Sequence, residues 1–273
     1  MFYSDYKGKT VVVTGAASGM GAATAEKLAE AGATIIGADI APITGEGVDG
    51  RHLDLTNAKS IEEFIAGIAD ESVDALFHCA GLPRTFAADK VITVNFVGAR
   101  HFLEGMFPKM AEGGAVAAVA SLVIGWPQHV ANLLPVINTG NFEAGVAWAE
   151  ENAEGPDLAA TQGDPYMFSK EALACWCTMM APRWIQRGVR LNVIGPGPTA
   201  TPMMGEFEKA VGEQMAALPL PIGRQSTAEE QANLMLMMNH PAASFLVGAT
   251  IYADGGMSAS LMTMMTSGLV EME

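Results

Sequence analysis

Apolar and polar positions fall into alternating blocks along the chain. Residues 10–13 form a β-branched run of the buried kind, followed by a glycine-rich turn. An Ala-rich stretch then reads as a helix to about Ala31, with Gly32 where a helix C-cap belongs. Residues 34–38 repeat the strand pattern, and a short third strand is expected near residues 52–53. Between Asn57 and Ala69, the residues Ile61, Phe64, Ile65 and Ile68 lie at i, i+3, i+4 and i+7, one apolar face of a helix. Residues 73–79 and 116–121 are the fourth and fifth strands, with a helical pattern around residues 90–110 between them. Residues 166–186 predict a long helix, 190–194 a sixth strand, 227–239 another helix and 250–253 a seventh strand. Apolar strands separated by helices predict an α/β fold, a doubly wound and mostly seven-stranded parallel sheet with helices on both faces. With no internal repeat and no linker, residues 1–273 read as one domain.

Two segments stand outside this alternation. Residues 122–165 insert 44 positions between a strand end and a helix start, and Phe142, Gly145, Val146 and Ala149 mark one face of an extra helix there. Residues 257–273 are a Met-rich tail. Composition narrows the partners. Hydrophobic residues make up 50% of the chain and charged residues 16%, which excludes intrinsic disorder. The net charge of −15 disfavours nucleic acid, anionic membranes and acidic carrier proteins. Three cysteines, Cys79, Cys175 and Cys177, show no disulfide framework and fit a reducing compartment. The polar N-terminus carries no signal-peptide pattern, and prolines and polar residues interrupt the longest uncharged stretch, so a cytoplasmic protein is expected.

The turn after the first strand reads Thr14-Gly15-Ala16-Ala17-Ser18-Gly19-Met20-Gly21. Backbone N–H groups at a helix start attract an anion, and glycine lets a pyrophosphate approach the chain. Asp39 ends the second strand, where a carboxylate binds adenosine ribose hydroxyls and repels a 2′-phosphate. No Arg or Lys lies in the turn to attract one, so NAD is favoured over NADP. Tyr166 and Lys170 are spaced i, i+4 on one helical face. An ammonium one turn away stabilises phenolate and equips tyrosine for acid–base exchange with a carbonyl or an alcohol. Ser121 ends the fifth strand, on the sheet edge where doubly wound folds bind ligands, and its hydroxyl can donate to a developing oxyanion.

Taken in order, these motifs resemble the short-chain dehydrogenase/reductase family over about residues 8–257. T-G-x-x-x-G-x-G is residues 14–21; Asp39 and Asp54 match the acid at the second strand and the adenine-contacting acid. His78-Cys79-Ala80-Gly81 stands at the N-N-A-G element, and Asn95 matches the family's Asn. Ser121, Tyr166 and Lys170 follow, then residues 196–203 as P-G-x-x-x-T-x-M and Asp254-Gly255-Gly256 as the closing D-G-G. The resemblance implies a single-domain Rossmann fold and a catalytic set of Asn95, Ser121, Tyr166 and Lys170. Tyr166 exchanges the proton, Lys170 lowers its pKa and binds the nicotinamide ribose, Ser121 holds the substrate oxygen, and Asn95 supports a water in a relay. The implied cofactor contacts are Gly15, Ser18, Gly19, Met20, Gly21, Asp39, Asp54, Leu55, Ala80, Gly81, Tyr166, Lys170, Pro196, Gly197, Thr199 and Thr201. No metal is expected.

Departures carry information. His78-Cys79 in place of Asn-Asn removes the family's structural Asn and puts sheet support in question. The long insertion, with Ala80-Gly81-Leu82 and Thr199-Ala200-Thr201-Pro202, resembles the 3-alpha-hydroxysteroid dehydrogenase/carbonyl reductase subgroup. It either blocks a subunit interface, leaving a homodimer rather than a homotetramer, or roofs the substrate site. Met203, Met204 and Phe207 after Pro202, then Leu122, Val123, Trp126, Leu133 and Leu134, and Met257, Leu261, Met262, Met264 and Met265 supply apolar walls. The expected substrate is a bulky apolar secondary alcohol or ketone of hydroxysteroid type. The alternatives are an aryl or coniferyl-type alcohol dehydrogenase, a β-ketoacyl-carrier reductase, for which the chain is too acidic, and a non-catalytic NAD sensor.

Overall fold

The computed structural model describes residues 5–206 and 219–266. Its strands are β1 (Thr10–Thr14), β2 (Thr34–Asp39), β3 (Val48–His52), β4 (Val73–His78), β5 (Met110–Val119), β6 (Arg190–Pro196), β7 (Thr199–Ala200), β8 (Ser226–Thr227) and β9 (Thr250–Ala253). Seven of them form one parallel sheet in the order β3-β2-β1-β4-β5-β6-β9, while β7 and β8 pair separately. Val11, Val12 and Val13 are wholly buried because helices cover both faces. On one face, α1 (Gly19–Glu30) and the helix Ala228–Asn239 enclose Val11, Val13, Leu28, Phe77 and Leu236. On the other, α2 (Ala58–Ala66), α4 (Ala99–Met106) and α7 (Pro165–Ile185) enclose Val12, Phe64, Phe102, Phe168 and Trp184. Each such side chain contributes on the order of 1.5–3 kcal/mol by leaving water.

Three expectations need correction. The third strand is Val48–His52, not residues 52–53. It is a polar edge strand whose pairing with β2 comes from backbone bonds, so no apolar run announces it. The helix expected around residues 90–110 is broken into α3 (Ala88–Ile92), a π-helical turn (Thr93–Gly98) and α4. A Cβ on Gly98 would lie 2.1 Å from the Leu55 carbonyl oxygen, so only glycine lets that loop touch the turn. The insertion holds two α-helices and a 3-10 turn, not one helix: α5 (Trp126–Ile137), α6 (Phe142–Asn152) and Pro156–Thr161. Pro127 at the start of α5 and Pro135 inside it masked its periodicity, yet Leu133, Val136 and Ile137 are buried on one face. Val123 and Leu133 therefore belong to the core. The pocket candidate Phe207 and the end of the Met-rich tail, residues 267–273, lie outside the described residues.

Buried arginines fasten the loops. Arg100 of α4 donates to the carbonyls of Val136, Ile137 and Asn141 at 3.4, 2.8 and 3.4 Å, closing the C-terminal end of α5. Arg190 does the same for the helix Ala228–Asn239 through Met238 and Asn239 at 2.7 and 3.0 Å. All three cysteines are free thiols. Among the described residues no helix is long and apolar enough to cross a membrane.

Sheet support survives the loss of the family's Asn. Thr14 Oγ1 lies 3.0 Å from His78 Nδ1 and accepts the amides of Cys79 and Ala80 at 3.1 and 3.2 Å. His78 is fully buried and stacks on Phe102. Burial, then the neighbouring Lys170 charge, holds its pKa down from 6.5 to about 3. An unfolded histidine takes a proton near 6.5 that the folded state refuses until about 3, so stability falls as pH drops through that window. Urea unfolding at neutral and mildly acid pH should show a smaller loss in His78→Asn than in the parent. Equal losses in both proteins would remove His78 from the acid sensitivity.

Candidate active site

β2 and β4 leave β1 on opposite sides, and the crevice at this switch point is where doubly wound sheets bind ligands. A cleft of about 510 Å³ opens there. Of the residues expected to contact a cofactor, Gly15, Ser18, Gly19, Met20, Gly21, Asp39, Asp54, Leu55, Ala80, Gly81 and Thr201 line it. A Cβ on Gly15, which has a φ of +68°, would sit 2.8 Å from the Ala80 amide nitrogen, so the turn and the β4 loop touch only through glycine. Ser18 N-caps α1 with extended backbone and no side-chain cap bond. The first-turn N–H groups thus face the cleft without an internal side-chain acceptor, as a pyrophosphate cradle requires. Asp39 accepts the Ala17 and Ala41 amides at 3.0 and 2.9 Å, one per carboxylate oxygen, and keeps further lone pairs able to accept hydroxyl donors. Asp54 accepts the Thr56 amide and hydroxyl at 2.8 and 2.7 Å, which shapes that end of the cleft.

The remaining expected contacts lie apart from the lining of this cleft. Thr199 is buried, donating to the Gly197 carbonyl at 2.9 Å and sharing a bond with the Ser226 hydroxyl at 2.9 Å. Its hydroxyl is engaged, whereas Thr201 reaches the cleft. Pro196 and Gly197 form the strand end beneath. Sequence reasoning missed Ile40, Leu82, Phe86, Lys90 and Pro202 in this lining, whereas Met203, expected as an apolar wall, is part of it. Ile40 and Phe86 are 65% and 53% exposed, large apolar side chains in loops just past strand ends, and that placement was the available signal.

The candidate reacting side chains converge beside this cleft. The α7 helix begins at Pro165, with Asp164 as N-cap accepting the Tyr166 and Met167 amides at 2.9 and 3.4 Å. Tyr166 is hydrogen-bonded to the Ser121 side chain and packs against Val91, with Leu82, Met167, Met203 and Met204 around it. Burial raises its pKa above the ordinary 10; the Ser121 bond offsets part of this, Asp164 adds to it and Arg84 opposes it. Lys170 Nζ donates to the Val119 carbonyl at 3.0 Å and lies 5.9 Å from the Tyr166 ring centroid. Burial lowers its pKa to about 8, so it remains largely cationic at neutral pH. Asn95 sits in the π-helical turn, accepting the Leu82 amide at 2.7 Å and donating to the Leu82 carbonyl at 3.0 Å. An ideal Cβ on Gly81 would lie 3.0 Å from Asn95 Oδ1 and 3.1 Å from Lys170 Nζ, so Asn95, Lys170 and the loop meet at one place. The geometry can hold a substrate oxygen between Ser121 and Tyr166 and pass a proton through the phenol.

A short chain dehydrogenase family model matches residues 9–131, and an enoyl-(acyl carrier protein) reductase model matches residues 154–258. Coniferyl-alcohol dehydrogenase of Pseudomonas sp. strain HR199 is 32% identical, covering 92% of this chain and 97% of that protein. The chain belongs to the short-chain dehydrogenase/reductase family. The 3-alpha-hydroxysteroid dehydrogenase/carbonyl reductase of Comamonas testosteroni is 34% identical, over 91% of this chain and 96% of the relative. The crystal structure of 3-alpha-hydroxysteroid dehydrogenase from Pseudomonas sp. B-0831, complexed with NADH, superposes with a TM-score of 0.77 at 30% identity, covering 93% and 98% of the two chains. The protein is thus an oxidoreductase of this family. Among its described residues no His/Cys/Asp/Glu group could hold a metal ion.

Asn95→Ala strands the Leu82 N–H and C=O, both part-buried. Urea unfolding should show a loss of about 1–3 kcal/mol. An unchanged midpoint would mean that the loop does not depend on this clasp.

Proposed function

We propose that this short-chain dehydrogenase/reductase uses NAD(H) to interconvert a bulky, apolar secondary alcohol and its ketone, with a hydroxysteroid as the substrate type. The observation that carries this reading is the Tyr166 phenol, bonded to Ser121 and walled by Leu82, Met167, Met203 and Met204. When bound, the nicotinamide supplies hydride acceptance and donation. The chain's own residues do the rest. Ser121 orients the substrate oxygen, and Tyr166 takes the alcohol proton in oxidation or gives it back in reduction. Lys170 stabilises the phenolate, and Asn95 holds the loop that borders the reacting carbon. Gly15, Ser18, Gly19, Met20 and Gly21 cradle the pyrophosphate, and Asp39 takes the ribose hydroxyls. That carboxylate disfavours a 2′-phosphate, which supports NAD over NADP.

The coniferyl-type reading is the alternative, supported by the 32% identity to that dehydrogenase. The net charge of −15 speaks against an acidic carrier partner, and the complete polar set speaks against a non-catalytic sensor. We read residues 1–273 as one catalytic domain, working in the cytoplasm as a homodimer or homotetramer.

Initial rates of NADH formation with 3-hydroxysteroids, aromatic alcohols and small secondary alcohols test the reading. Selective steroid turnover is the expected result. Turnover of aromatic alcohols alone supports the alternative, and silence with all three refutes both. Tyr166→Phe should lower kcat by about 10²–10⁴-fold while NADH fluorescence titration shows retained binding. Asp39→Ala should erode the preference for NAD over NADP in kcat/KM; an unchanged preference would remove Asp39 from cofactor choice.

A further inference from the structure

Arg84 and Asp164 form an ion pair beside Tyr166 that none of the family motifs quoted above includes. Arg84 Nη2 lies 2.8 Å from Asp164 Oδ2, and both side chains are largely shielded, at 28% and 18% exposure. Asp164 Oδ1 meanwhile accepts the Tyr166 amide at 2.9 Å, so one carboxylate holds both the cation and the first turn of α7. Arg84 lies two residues past Leu82, whose backbone Asn95 clasps on both sides. The loop after β4 is therefore pinned at Leu82 by Asn95 and at Arg84 by the cap of the helix that carries the phenol.

We infer that the Arg84–Asp164 pair is a positioning device for Tyr166, fixing the turn beneath the phenol and setting its acidity by two opposed charges. This rests on the reading of Tyr166 as the proton-exchanging group. The guanidinium favours phenolate and the carboxylate opposes it, which agrees with the directions in which each moves the Tyr166 pKa. Other polar and charged groups are carried by the elements packed around Tyr166. Lys170 is one turn along the same helix and Ser121 lies two residues past β5. On α3, Asp89 and Lys90 approach each other at 4.0 Å, and Glu206 follows the Met203–Met204 contact. The Asp164 carboxylate combines a direct bond to Arg84 with a bond to the Tyr166 backbone.

The opposition of charges separates this role from mere support. Loss of support by either partner would move the phenol the same way, whereas loss of charge moves its titration in opposite directions. Four tyrosines make ¹⁹F NMR of protein labelled with 3-fluorotyrosine practicable, with the Tyr166 resonance assigned through Tyr166→Phe. In the presence of NAD, Arg84→Gln should raise the Tyr166 midpoint by about one pH unit. Asp164→Asn, which retains a good N-cap, should lower it by a similar amount. The double variant should return toward the parent value, and Arg84→Lys should stay near it. The acidic limb of kcat/KM for alcohol oxidation should follow the same signs. Shifts of one sign in both single variants, or no shift in either, would overturn the proposal. Opposed ¹⁹F shifts without turnover of any alcohol would support the pair's role and refute the proposed function. Turnover with an unmoved Tyr166 titration would do the reverse.

Discussion

The hydroxyl of Thr14 is the contact on which the site depends. At the end of β1 it meets His78 and draws in the amides of Cys79 and Ala80, which closes the end of β1 onto the end of β4. That closure brings Gly15 against Ala80, so the glycine-rich turn and the β4 loop share one crevice. From there the order propagates. Gly81 abuts Asn95 and Lys170, Asn95 clasps Leu82, and the loop reaches the cap of α7 through Arg84. A backbone amide left unpaired at this depth would cost about 1–3 kcal/mol, so the network is worth having for stability as well as for geometry.

The insertion solves a second problem. α7 is apolar nearly all round, and residues from Tyr166 to Trp184 are buried on several faces. Such a helix requires cover on its outer side. α5 and α6 supply it, with Leu133, Val136, Phe142 and Ala149 in the same core as Phe168 and Leu173. Two polar ties set their position. Arg100 closes the end of α5, and His129 Nδ1 meets the buried Glu171 carboxylate at 2.6 Å. Burial raises the Glu171 pKa and the bond to His129 holds it back, so the pair is a compensated polar contact inside an apolar interface. The helix that carries the tyrosine and lysine is therefore braced from the side opposite the sheet.

Electrostatics at the site run against simple expectation. Burial alone makes the Tyr166 phenol a weaker acid and the Lys170 ammonium a stronger one, the reverse of what proton exchange from tyrosine needs. The Ser121 bond and the Arg84 charge work against that burial, and a bound nicotinamide cation would add to them. The dry surroundings that suit an apolar substrate are thus the same surroundings that demand compensating charge.

The sequence by itself determined the strand–helix alternation, the parallel sheet and the glycine turn. Each rests on local period or on backbone freedom, which neighbouring residues encode. It also pointed to the residue types proposed for the reacting set, because Tyr166 and Lys170 share a helix face, Asp39 ends a strand and Ser121 lies two residues past one. Tertiary structure alone decided the polar edge strand Val48–His52, whose signal is a backbone ladder and not a side-chain pattern. It decided the π-helical turn that aims Asn95 at Leu82, since the crowding at Gly98 comes from a loop more than forty residues away in the chain. It decided that Val123 and Leu133 fill the core, that Thr199 is engaged by Ser226, and that His78 can stand where asparagine was expected. Each of these depends on which groups meet across the fold, and spacing along a chain carries no record of that.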